Sequence, residues 1–244
     1  MLQQNSIDLK LNVFESDQDT AVFSVELTNK AGHKFPSGYH SRRAFIEFVV
    51  ISEFGDTLFV SGLLQPDFEV TGQDAEKEDH YNIITQEDEV QIYELVLGDV
   101  NGDFTTVLER SHMALKDNRL PPLGFTTTHE VYDTTRIYGN ALTDADFNIE
   151  NGVEGSGKDI VHYHIPMNGY SGLATVSAKV FYQALPPKWM APMFAESTPE
   201  IDTFRQMFYE SDNTPVLVAS EIVDSVNIHT VSYTHLTLPT TPYV

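Results

Sequence analysis

The chain has 244 residues, of which 36 are Asp or Glu and 14 are Lys or Arg, for a formal charge of -22. Such a surface repels phosphate backbones and anionic lipid, which argues against nucleic-acid and membrane-surface roles. Cysteine is absent, so this chain holds no disulfide, thiolate-bound zinc, iron–sulfur cluster, Cys nucleophile or CxxCH haem attachment.

Ile7, Leu9, Leu11 and Val13 alternate with polar residues, as in a half-buried strand, and Phe23, Val25 and Leu27 repeat the pattern. A loop then runs from Asn29 to Phe45 and concentrates His33, Lys34, Tyr39, His40, Arg42 and Arg43 around Gly32, Pro36 and Gly38. Residues 44–51 are apolar on both faces apart from Glu47 and predict a central strand. Glu53–Asp56 is a hairpin turn, with the return strand at 58–60. Residues 63–86 are polar and predict a long surface excursion.

Further on, residues 89–97 predict a strand, 98–103 a turn and 104–110 its partner. Residues 111–128 include Pro121 and Pro122 and are expected to be irregular. A Gly/Asp/Asn-rich loop spans 143–159, followed by strands at 160–165 and 174–182. Thr198 is a suitable N-cap, Pro199 suits the first helical position, and Ile201, Phe204 and Phe208 share one helical face. A last strand covers 215–223. The pattern predicts an all-β, antiparallel, immunoglobulin-like β-sandwich with long loops and one short C-terminal helix. It is expected to form a single domain over residues 1–230.

Both ends invite comment. No apolar run approaches the roughly 18 residues of a membrane span, and Met1–Gln4 has neither a basic nor an apolar leader. The chain is therefore expected either to be cytoplasmic or to lack the start of a longer protein. Val231–Thr240 resembles the in-frame translation of a sequencing adapter, so 231–244 is expected to be a non-native tail.

Several constellations invite chemistry. Asp99-Val-Asn-Gly-Asp103 imitates the opening of a calcium loop. Counting from Asp99, however, Phe104 falls where glycine is required and Arg110 where an acid should close the site, which favours a plain Asn-Gly turn. His162 and His164 share one strand face and could hold two positions of a metal site. Val161, Tyr163 and Ile165 make the better core face, so the two histidines are expected on the solvent side. There is no G-x-S-x-G, HExxH, P-loop or GxGxxG, and no carboxylate pair stands out, so an enzyme is not expected. Trp189, the only tryptophan, is expected to close one end of the core. In the 29–45 loop, neutral imidazole suits His33 to a metal or haem iron. Arg42 and Arg43 should point to opposite faces, one of them free to grip a carboxylate with both arms. A purely architectural role for this loop is the competing reading.

The segments GHKFPSGYHSRRAFIEFVV (32–50), DEVQIYELVLGDVNGD (88–103) and KDNRLPPLGF (116–125), with VFYQ (180–183) and the TPEIDTF helix (198–204), occur here in that order. As a set they resemble the haem-free C-terminal β-sandwich region of bacterial multihaem c-type cytochromes, over roughly residues 7–223. Ser37, His40 and Phe45 stand where the family more usually has Thr, Pro and Trp. The resemblance implies an accessory, structural role in respiratory electron transfer. This domain would pack against a multihaem domain of the same polypeptide or a redox partner protein, in the periplasm or at the cell surface. It also implies that haem c belongs to an N-terminal part absent from this chain. With that context, His33 is the candidate haem ligand or contact, and Arg42 and Arg43 are candidates for a propionate or inter-domain carboxylate. The alternatives are a stand-alone secreted module binding carbohydrate or protein, with or without calcium, and a metal-dependent enzyme built on His162 and His164.

Overall fold

A computed structural model of the chain describes residues 5–14, 20–73 and 76–229; the 231–244 tail lies outside them. The N-terminal strands are β1 (Ile7–Val13), β2 (Thr20–Asn29), β3 (Arg43–Ser52) and β4 (Thr57–Ser61). Short strands follow: β5 (Ile83–Ile84), β6 (Ile92–Tyr93), β7 (Leu95–Gly98), β8 (Met113–Asp117), β9 (Ile149–Glu150) and β10 (Val153–Glu154). The C-terminal part is β11 (Lys158–Pro166), β12 (Gly172–Gln183), helices α1 (Pro187–Phe194) and α2 (Pro199–Glu210), and β13 (Val216–Ile228).

Two sheets face each other in an all-β sandwich. One has the order β1-β2-β11-β5; the other runs β13-β12-β3-β4, with β6 also on β3. The long pairings are antiparallel, and β5 lies parallel to β11. Alternation places Phe23 and Val25 of β2, Val161, Tyr163 and Ile165 of β11, and Val176, Ala178 and Val180 of β12 in the core. β3 is buried on both faces, as its continuous apolar run predicts: Ala44, Ile46, Phe48 and Val50 enter the main core, while Phe45 joins Val70, Val90 and Ile92 in a satellite cluster behind the sheet. The Phe48 and Tyr163 rings stack between the sheets, centroids 3.9 Å apart. At one side β13 approaches β1, where Leu11 N donates to Glu221 Oε2 (2.6 Å).

The middle of the chain departs from expectation. The 89–97 strand is split into β6 and β7 around Glu94, whose backbone N–H goes to the Asn118 side chain (3.0 Å) rather than to a ladder. The main partner of β7 is β8; of the expected 104–110 partner only the start pairs, with Phe104 bridging Gly98 and Thr105 N donating to the Leu97 carbonyl (3.0 Å), and Leu108–Arg110 is a 3₁₀ turn. There are two helices among the described residues, not one. α1 forms in the proline-rich segment because Pro187 occupies the first turn, where its missing N–H is not needed. Pro192 then removes one bond from this short helix. α2 begins as expected, with Ile201 N donating to Thr198 Oγ1 (3.3 Å). No helix among the described residues is long and apolar enough to cross a membrane.

Candidate functional site

The 29–45 loop is stitched to the 117–120 segment. Asn29, buried at the end of β2, donates from Nδ2 to the carbonyls of His33 (2.8 Å) and Leu120 (2.9 Å) and accepts from Ala31 N on Oδ1 (2.8 Å). Phe35 and Leu120 exchange backbone hydrogen bonds (2.9 and 2.7 Å). The Phe35–Pro36 peptide bond is cis. This frame fixes the loop's side chains.

His33 is exposed. Its Nδ1 lies 3.1 Å from the Lys34 carbonyl oxygen. A carbonyl only accepts, so Nδ1 is the donor, and in the neutral imidazole the lone pair lies on Nε2. His33 lines two adjacent cavities of about 600 and 470 Å³. Such an imidazole, oriented by a backbone carbonyl, is arranged as metal-binding histidines are.

The two arginines do different things. Arg42 is partly exposed; its Nη1 donates to the Ser37 carbonyl (2.9 Å). No carboxylate pairs with Arg42 among the described residues. Arg43 is fully buried and bonded within the chain: Nη2 to Glu69 Oε1 (2.5 Å), Nη1 to Gln73 Oε1 (2.5 Å) and Nε to Gln183 Oε1 (2.9 Å). The opposite-face expectation holds, but Arg43 has no surface to offer a haem or a partner, and only Arg42 remains available.

Beside the loop, Lys34 and Arg119 share one carboxylate. Lys34 Nζ donates to Asp117 Oδ2 (3.0 Å) and to the Arg136 carbonyl (2.9 Å), while Arg119 grips Asp117 through Nε (2.9 Å) and Nη2 (2.7 Å). Burial pushes the Lys34 ammonium down, and Asp117 opposes this. His40 is also pushed down, by burial and then by Arg119. The cluster carries one more cation than it has anions, on a chain of charge -22.

Other expected candidates stay apart from this end. His162 Nε2 lies 3.0 Å from Asp146 Oδ2, while Val161, Tyr163 and Ile165 are buried, as the alternation predicts. The Asp99 carboxylate is occupied by the backbone N–H groups of Asn101 (2.7 Å) and Asp103 (3.1 Å), which makes a turn. Trp189 is half-buried and meets Tyr39 edge-on at 6.2 Å.

Sequence reasoning missed a buried polar network. His80, Asp144 and Asp159 bring possible ligand atoms within 4.8 Å of one another. The surrounding hydrogen bonds decide its character. His80 Nδ1 faces the amide nitrogens of Gln91 (2.8 Å) and Asn118 (3.0 Å). Both amides are held in that orientation, because Gln91 Oε1 accepts from Tyr81 N and Asn118 Oδ1 from Glu94 N. Nδ1 must therefore accept, which puts the proton on Nε2, where it is donated to Asp144 Oδ2 (3.0 Å). Both His80 ring nitrogens are thus engaged by protein partners, with no lone pair to spare for a cation, so the three side chains do not suit a metal.

Asp159 takes Tyr93 Oη (2.6 Å) and Gln91 Nε2 (3.2 Å) on Oδ2, while its buried Oδ1 has no hydrogen-bond partner. Burial pushes this carboxyl up. Asp159, the last residue of the predicted 143–159 loop, instead lies within β11 and is fully buried.

No family model matches the chain, and no curated protein matches it. A crystal structure of a penta-heme cytochrome c552 from Thermochromatium tepidum shares the fold, with a TM-score of 0.53 at 15% sequence identity. The match covers 91% of this chain and 40% of that one, so this chain spans about two fifths of the solved protein's length.

Proposed function

We propose that this chain is an accessory β-sandwich of a multihaem cytochrome, docking its 29–45 loop end against a haem-bearing domain of the same polypeptide or a redox partner protein. The supporting observation is the fold shared over 91% of the chain with part of a penta-heme cytochrome c552. The order of its sequence segments agrees with that likeness. Without cysteine the chain attaches no haem covalently, so the haems belong to the neighbouring domain, in an extracytoplasmic compartment.

In this reading the loop end does the work. His33 offers Nε2 outward to a haem iron or haem edge, and Arg42, without a carboxylate of its own, meets a propionate or an inter-domain acid. Arg43 holds the loop's base instead. The chain carries no catalytic step of its own; it shields haem and presents a partner surface.

A haem c peptide with one histidine ligand and an open sixth position tests this. Titrating the purified chain into the ferric peptide should convert its high-spin spectrum to a low-spin one. His33→Ala should abolish the conversion and Arg42→Gln should weaken it. A spectrum that stays high-spin with the folded chain, or converts equally with His33→Ala, refutes the ligand role.

A further inference from the structure

We infer that the larger cavity beside the 32–38 loop is a binding site for an organic monoanion that joins one carboxylate to a flat apolar body. The cavity encloses about 600 Å³, within the roughly 300–1,000 Å³ of small-molecule sites.

Its polar wall is made by Lys34 and Arg119, which share the single carboxylate of Asp117. Arg119 spends Nε and Nη2 on Asp117, and its Nη1 has no acceptor among the described residues. A guanidinium with one open edge in a confined space suits a carboxylate. The excess is one positive charge, which matches a monoanion; an anion of higher charge would be repelled by a protein of charge -22. Burial pushes the Lys34 ammonium below its usual range, and an arriving carboxylate would oppose that lowering.

Aromatic rings also line the cavity. The Phe125 and Tyr132 rings lie 5.8 Å apart, with Lys34 Nζ 5.6 Å from the Phe125 centroid. At the mouth, Leu123 is 78% exposed, apolar surface that a flat ligand would cover. His129 also lines the cavity, and its Nδ1 accepts from Val131 N (3.3 Å), leaving an Nε2–H to donate. The cavity's proposed contacts require no iron, so the site stands or falls separately from haem docking.

Calorimetric titration of the 244-residue chain with 1-naphthoate, its methyl ester and 1-naphthylmethylamine tests the inference. The expected result is 1:1 binding of the naphthoate, with the ester about tenfold weaker or worse and the amine not bound. Arg119→Gln should weaken naphthoate by a similar factor. Because that change also strips a partner from Asp117, Leu123→Glu at the exposed mouth gives an independent reading and should weaken the acid more than the ester. Absence of naphthoate binding to the folded chain, equal affinity for acid and ester, or unchanged binding in both variants overturns the proposal. A haem peptide spectrum that still responds to His33 while naphthoate fails to bind would separate the two proposals.

Discussion

Asp159 shows how one residue can impose a pH dependence on the fold. Its Oδ1 is buried with no hydrogen-bond partner, and this burial outweighs the lowering influence of His80 and of the Tyr93 and Gln91 hydrogen bonds. Burial raises its pKa, so the folded state keeps a proton that the unfolded chain releases near the ordinary carboxylate value. Between that value and the raised one, folded protein binds more protons than unfolded, and stability falls as pH rises. Each unit of elevation is worth about 1.4 kcal/mol. Asp159→Asn should flatten that fall, checked by urea unfolding at a series of pH values; an unchanged slope would mean the carboxyl titrates normally. Arg43 gives a simpler case. Arg43→Ala leaves Glu69 without its cation and should cost about 3–5 kcal/mol in denaturant unfolding, whereas a loss below about 1 kcal/mol would mean that the pair is solvated.

Among the elements, those with clean periodicity were legible in advance. β1, β2, β11 and β12 alternate in sequence and alternate in burial, because the period of two has a single reading. β6, β7 and β8 were misread because Gln91, Glu94, Lys116 and Asn118 look like surface residues yet are buried, satisfied by one another and by backbone groups. Partners that far apart in the chain leave no local signal. The candidate site was half legible: His33 and Arg42 stood out by composition, but the sharing of Asp117 by Lys34 and Arg119 across more than eighty residues did not. α2 is the element most dependent on local signals, since most of its surface is exposed. Removing its cap with Thr198→Ala should cost about 0.5–2 kcal/mol, seen as early loss of helical circular dichroism in a denaturant series; coincidence with wild type would show that packing alone holds the helix.

At the scale of the molecule, charge and topology set the behaviour. A net charge of -22 makes the compact state repel itself. Raising salt from about 20 to about 200 mM, which shortens the screening length from roughly 20 Å to below 10 Å, should therefore raise the melting temperature by a few degrees. A melting temperature that falls with salt would show that the internal ion pairs outweigh the surface repulsion. The same field favours cationic partner surfaces over anionic ones, except at the loop end where Lys34, Arg42 and Arg119 gather.

The order of the strands also governs when the protein can exist at all. β2 has β11 as its inner neighbour and β3 has β12, so Val25 waits for Val161 and Phe45 for Phe181. During synthesis the first four strands emerge with the inner edges of both sheets open and nothing to zip them shut until more than a hundred further residues have left the ribosome. Pairings of such long separation fold slowly, on the millisecond-to-second scale or beyond, and an unclosed edge invites other chains. The nascent chain should therefore need a holding chaperone until β12 is made, and versions truncated before residue 172 should be insoluble.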